Sequence, residues 1–324
     1  MSRCAKRTDE NMKTDKAALV AALKKKRETE GLSIRALAER IGVSFSSLAR
    51  IERGEGEPDN NSSIRIIEWL GDDAREAGLT FENVALVHFR AGKNVRAKTI
   101  HCLLNAASRI KASHRTNASE LLSSPQSDAE LASSIALSKA EMEEMAHQLR
   151  KDLGVEPNER IESLDINIAG VDVYRVSDVE GLSNECAEFL LGEGAQEWSA
   201  MSVPMDLSED TWAILRNDKH TMERQRVTYL EECWHILLGH RLTRIAKIAD
   251  AYGRTYDSSE EHDAFYLASA TLLPEAAIRT AVESGESASQ IANRFGASIE
   301  LVEYRIKRLG LWRSYKDKTV SLNS

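Results

Sequence analysis

The stretch that decides how this chain is read is Thr228-Tyr-Leu-Glu-Glu-Cys-Trp-His-Ile-Leu-Leu-Gly-His240. Together with Val227, its Leu230, Trp234, Leu237 and Leu238 recur at helical spacing, so it reads as an amphipathic helix. It also nearly spells HExxH, the helical signature in which two histidines four residues apart grip a metal ion while the Glu between them serves as a base. Glu231 stands where the first histidine belongs, His235 where the second does, and Glu232 at the base position. Glu231 and His235 still share one face, which keeps the geometry of a metal site with altered ligands. Taken alone, EExxH is a weak signal, and an amphipathic core helix with a stray histidine is the better reading of it.

Neighbouring segments separate the two readings. His220, Arg224-Gln-Arg226, the helix ending Ile236-Leu-Leu-Gly-His240, and Glu260-Glu-His-Asp-Ala-Phe-Tyr-Leu-Ala-Ser-Ala-Thr-Leu-Leu-Pro274 follow one another in an order that resembles the ImmA/IrrE family of metallopeptidase-like proteins. That family is bacterial and phage-borne, and the resemblance covers roughly residues 130–312. It implies an α+β, zincin-related domain with Glu231, His235 and Asp263 as metal ligands and Glu232 as the catalytic base. Glu261 and Glu260 are close substitutes for Asp263. The chain is similar to a branch of the family that reads EExxH throughout this helix. One histidine with two carboxylates is a harder donor set than two histidines with one, so the implied cofactor is one divalent metal, zinc or manganese, with iron or no metal left open. The implied peptidase activity is weak or absent.

The other end of the chain carries a second signature. After a first helix over roughly residues 16–29, Ser33-Ile-Arg-Ala-Leu-Ala-Glu-Arg-Ile41 reads as a short helix, Gly42-Val-Ser44 as a tight turn, and Phe45-Ser-Ser-Leu-Ala-Arg-Ile-Glu-Arg53 as the next helix. Gly permits the left-handed turn conformation, Val43 plugs the angle between helices, and Ser44 caps the second of them. Ile64, Ile66, Ile67, Trp69 and Leu70 supply a closing helix. Two short helices around a small-residue turn suit insertion into the major groove. The run resembles the XRE, or Cro/C1-type, helix-turn-helix family over residues 15–72. The resemblance puts Ser44, Phe45, Ser46, Ser47 and Arg50 at groove-facing positions, with Ser33, Arg35 and Arg53 near phosphates. Its implied partner is a double-stranded DNA operator. A homodimer is expected, because one short helix reads too few base pairs.

Charge distribution agrees. The 324 residues carry a net charge of −8, but residues 1–55 hold 13 Lys and Arg against 8 Asp and Glu, leaving a head of +5 on a body of −13. Only the head is suited to a polyanion. A solvated helix face accounts for Lys24-Lys-Lys-Arg27 nearly as well. The start of the chain lacks an apolar h-region, and no run approaches the ~18 apolar residues of a membrane span, so a cytoplasmic protein with no membrane partner is expected. Cys4, Cys102, Cys186 and Cys233 lack CxxC spacing, which excludes a zinc ribbon. Cys233 lies off the 231/235 face and reads as core packing.

The expected organisation is a mainly α helix-turn-helix domain with a helical extension at residues 1–111, a Ser-rich linker at 112–128, and the α+β domain at 129–324. In the extension, Val84, Leu86, Val87 and Phe89 precede a Gly-Lys-Asn break and an apolar helix through Ile110. In the second domain a helix runs from Ser138 to about Leu153, and strands are expected at 168–176, 187–191, 199–203 and 212–215. An internal repeat closes the chain. Ser287 to Ser298, shifted by 254 residues, matches Ser33, Ala38, Arg40, Gly42 and Ser44 identically, giving a helix-turn-helix-like unit. Flanking Glu275, Glu283, Glu286, Glu300 and Glu303 would repel phosphate, so this unit is expected to pack on the core.

The leading functional reading is a sequence-specific transcriptional regulator of bacterial, phage or mobile-element origin. Its peptidase-like domain is degenerate or atypical and serves sensing, dimerisation or regulated proteolysis. The alternatives are an active metalloendopeptidase that cleaves a DNA-bound repressor, or an antitoxin-like module.

Overall fold

The computed structural model describes residues 17–77, 79, 83–91, 95–115, 137–206, 210–240, 242–248, 251–254 and 258–321. These fall into two compact units, one drawn from residues 1–86, 95–108 and 243–256, the other from 87–94, 109–242 and 257–324.

The first unit opens with α1 (residues 17–29), α2 (Ile34–Ile41) and α3 (Phe45–Glu52), followed by α4 (Asn60–Leu70) and α5 (Asp72–Glu76). Ser33 caps α2 by accepting from the Ala36 amide, and Ser44 caps α3 by accepting from the Ser47 amide. Between them Gly42 sits at φ 65, the left-handed region that ends a helix cheaply only for glycine. Leu19, Leu23, Leu37, Ile41, Val43, Leu48, Ile51, Ile66 and Leu70 form one core. The basic run on α1 is partly structural. Arg27 donates to both carboxylate oxygens of the nearly buried Glu52, and Lys26 Nζ donates to the Trp69 and Leu70 carbonyls at the C-terminal end of α4, where a cation is favoured.

After β1 (Asn83–Ala91), the first part of α6 (Ala97–Arg115) also belongs to this unit. So does an antiparallel hairpin within residues 243–254, which the sequence pattern does not announce.

The second unit continues with α7 (Lys139–Asp152), β2 (Val171–Arg175), α8 (Asn184–Leu191), β3 (Trp198–Asp206), β4 (Thr211–Arg216) and α9 (Met222–Leu237). The hairpin strands, β5 (Thr243–Ile248) and β6 (Ala251–Arg254), come next in sequence. The chain then forms α10 (Ser258–Leu272), α11 (Glu275–Glu283), α12 (Ala288–Phe295), α13 (Ile299–Arg308) and α14 (Trp312–Ser321). Within the second unit four strands lie in the order β2-β4-β3-β1, with β2 parallel to β4 and the other pairs antiparallel. One side of α9 places Tyr229 and Cys233 against Val171, Trp212 and Ile214 of the sheet. Its other side places Val227, Leu230 and Trp234 against α10 and the later helices. Cys233 is core packing, as its place on the helix implies.

The C-terminal repeat has the same local build as α2 and α3. Ser287 and Ser298 cap α12 and α13, and Gly296 is left-handed at φ 62 between them. A Cβ there would also collide with the Arg226 guanidinium, which donates to the Gly296 carbonyl. Arg305 on α13 is fully buried. It donates to the Leu273 carbonyl and, through both terminal nitrogens, to the two Glu143 oxygens at 2.8 and 2.9 Å. Tyr266 on α10 donates to Glu143 as well. These bonds fasten the repeat to α7 and α10, in keeping with the packing role expected for it.

Three local expectations are corrected. Residues 187–191 lie in a helix, capped by Ser183, because a short apolar run carries no periodicity that tells a buried strand from a buried helix. Residues 84–89 form β1, whose partner strand is more than a hundred residues away in sequence. Residues 112–115 of the expected linker continue α6, while 116–128 lie outside the described residues.

Removing Glu143 would leave Arg305 charged, buried and unpaired. Glu143→Ala is therefore expected to cost about 3–5 kcal/mol in chemical denaturation of the full chain.

Candidate functional site

The centre of α9 is polar where it should be driest. Glu231, Glu232 and His235 are exposed by only 1, 0 and 3 %. Buried ionisable groups persist only when paired, hydrogen-bonded or engaged with a metal. Glu231 and His235 come together across one helical turn, and the first turn of α10 adds Glu261, so that one ligand atom from each lies within 4.8 Å of the others. His235 Nε2 is 3.9 Å from Glu261 Oε1. The other ring nitrogen of His235, Nδ1, is 2.9 Å from Nδ1 of His240, whose ring meets it edge-on. His240 thus holds the imidazole so that Nε2 is the nitrogen turned to Glu261, the way a partner on the far nitrogen commonly orients a metal-binding histidine.

The expected third ligand, Asp263, does not meet the other two. Glu261 joins Glu231 and His235; Asp263 does not. Two positions along a helix turn a side chain by about 200°, so Glu261 and Asp263 cannot face the same point. Asp263 is half-buried, and burial raises its pKa, with His262 opposing the shift. Glu260 is buried but stands outside the cluster.

Glu232, the position of the base, accepts a hydrogen bond from the Ser202 hydroxyl on β3. Opposite Ser202 in the strand register is His88 of β1. The His88 ring lies nearly parallel to His235, with centroids 4.9 Å apart, and nearly parallel to Trp212 at 5.4 Å. Burial pushes the His88 pKa down to about 3, with His240 adding to the effect, so the ring is neutral. His220 and the Arg224-Gln-Arg226 run serve structure. His220 donates to the Ala195 carbonyl, Gln225 to the His220 carbonyl, Arg224 to the Ser199 hydroxyl and Arg226 to Glu162.

Sequence reasoning named Glu261 only as a substitute and did not name His240, Ser202, Trp212 or His88 as site residues. His240 had a signal, five residues beyond His235 in the same stretch. His88 had none, because strand pairing alone brings it there.

In the first unit, Ser44, Phe45, Ser46, Ser47 and Arg50 all lie on the exposed side of α3, and Ser33, Arg35 and Arg53 are exposed near it. Phe45 is 50 % exposed, with the Arg35 guanidinium over its ring at 5.5 Å. Arg53 pairs with Glu55 at 2.9 Å and Arg50 reaches the Glu55 carbonyl at 3.4 Å. Both contacts are exposed and therefore weak, so phosphate can replace them.

These two arrangements define a helix-turn-helix module and a metallopeptidase-like module on one chain. Residues 23–71 match the family model described as Helix-turn-helix, and residues 199–307 match the one described as IrrE N-terminal-like domain. No curated protein and no solved structure matches the chain. Among the described residues, no helix is long and apolar enough to cross a membrane.

Glu261→Gln is expected to strip a divalent cation that Asp263→Asn retains. Mass-spectrometric metal analysis of the purified full-length variants checks this, and the reverse pattern would return the third position to Asp263.

Proposed function

We propose that this chain is a transcriptional regulator whose α3 enters the major groove of operator DNA and whose peptidase-like unit binds one divalent cation as a sensor. The residues fit such a cation. Glu231 and Glu261 bring two carboxylates, and His235 one imidazole, to a single small buried volume, where like charges are poorly tolerated without a counter-charge. When bound, the cation would supply Lewis-acid chemistry at this point. Glu231 and Glu261 would hold it with His235, Ser202 would fix the carboxylate of Glu232, and His240 would set the ring of His235. Oxygen-rich donors favour manganese or iron over zinc.

The observation that carries the sensor reading is the burial of Glu232. In a hydrolytic site that base takes a proton from the attacking water, which must itself reach the peptide carbonyl, and a carboxylate with no exposed surface, one oxygen of which accepts from Ser202, leaves a polypeptide no approach. The retained base position favours a second reading, a metalloendopeptidase acting on a repressor protein after opening. On either reading the DNA-bound form is a homodimer, since a single α3 contacts too few base pairs for useful specificity.

The test begins with selection of full-length protein on random duplexes. Arg50→Ala, or Ser46→Glu with Ser47→Glu, is expected to abolish sequence-selective binding while Glu232→Gln leaves it intact. Manganese and chelator are expected to shift operator affinity of the wild type by at least about fivefold, the low end of typical coupling between sites. Equal affinity in both conditions, with metal-dependent cleavage of a co-incubated repressor that Glu232→Gln abolishes, would replace the sensor with the peptidase.

A further inference from the structure

β1 lies outside residues 199–307, yet it delivers His88 to the wall of the Glu231, His235 and Glu261 cluster. His88 is 2 % exposed, and its Nε2 is fully buried with no hydrogen-bond partner among the described residues. A buried ring nitrogen left in that state costs about 1–3 kcal/mol, which strand residues of an ordinary core avoid. A phenyl ring would fill the same slot between Trp212 and His235 without that cost. The nitrogen therefore calls for a partner that comes and goes.

That partner is not the cation itself. The His88 nitrogens do not join the ligand atoms of Glu231, His235 and Glu261 that lie within 4.8 Å of one another, and the His88 ring instead stacks on that of His235, 19° from parallel with centroids 4.9 Å apart. We propose that His88 is a ligand-binding member of the site: its ring steadies His235, and its Nε2 hydrogen-bonds the small polar group, water or a carbonyl, that a cation draws into the pocket. This rests on the metal-binding reading of Glu231, His235 and Glu261. It also assigns β1 a part in the site, which the peptidase-like segment alone would lack.

The experiment measures manganese and zinc affinities of the full-length protein by competition with a chromophoric chelator, with cobalt as a visible-absorption probe of the site. Wild type, Glu261→Gln, His88→Phe and His88→Gln are compared. Glu261→Gln loses the ion. His88→Phe keeps an aromatic ring in the stack and is expected to weaken binding about tenfold and to shift the cobalt spectrum, the scale of losing an outer hydrogen bond at a metal site. His88→Gln, which restores a hydrogen-bonding group without the ring, is expected to recover part of the affinity. If Glu261→Gln loses the ion while His88→Phe stays within about twofold of wild type with an unchanged cobalt spectrum, the metal reading stands and His88 has no part in it. Equal losses in His88→Phe and His88→Gln would show that a restored hydrogen-bonding group recovers nothing and would overturn the proposal. Failure of the wild type to take up any ion would remove the metal reading and this inference together.

Discussion

The second unit is organised around a helix that must bury three ionisable side chains at its middle. α9 lies against the sheet on one side and α10 on the other, so Glu231, Glu232 and His235 are almost wholly buried. Two of them are met by hydrogen-bonding neighbours, and the third faces a second carboxylate. Ser202 from β3 bonds Glu232, His240 bonds His235, and α10 brings Glu261 beside Glu231. Apolar contacts of Leu230 and Trp234 fix the distance to α10, and those of Tyr229 and Cys233 the distance to the sheet. Replacing the polar centre by leucines would cost the fold little and would free it of buried charge, since buried ion clusters are seldom a net source of stability. The polar centre is a cost that packing alone does not require, and that excess marks it as the functional part of the helix.

How much of this could be read in advance depends on range. α2, the turn and α3 are set by caps and a left-handed glycine within a dozen residues, and they form where Ser33, Gly42 and Ser44 place them. The same three-residue grammar at Ser287, Gly296 and Ser298 made the C-terminal repeat legible. Glu231 and His235 were legible because a helix fixes i and i+4 neighbours. Glu261 was harder: the Glu260 to Pro274 segment locates α10 but not its rotation about its own axis, and a two-residue slip exchanges one carboxylate for another on the opposite face. His88, Ser202 and Trp212 depend on the register of β1, β3 and β4, which no local pattern encodes.

The two modules also differ in what they hold in reserve. On α3 the polar groups are exposed and loosely paired, as suits contacts exchanged for DNA. In α9 they are buried and engaged, as suits a site that admits something small. The proposed regulator needs a surface for a long polymer in one module and a site for an ion in the other, and neither requires peptide cleavage.

Ligand charge argues the same way. A histidine at position 231 would bring a neutral nitrogen, whereas Glu231 brings a second anionic ligand beside Glu261. Two carboxylates nearly neutralise a divalent cation and hold it firmly as a hard ion, but they lower the electrophilic pull on which hydrolysis at neutral pH depends. Substituting Glu for His at one position therefore trades reactivity for retention of a hard metal. With Glu232 buried and bonded through one oxygen to Ser202, the proposed sensor keeps the framework of a hydrolytic site and turns its chemistry toward binding.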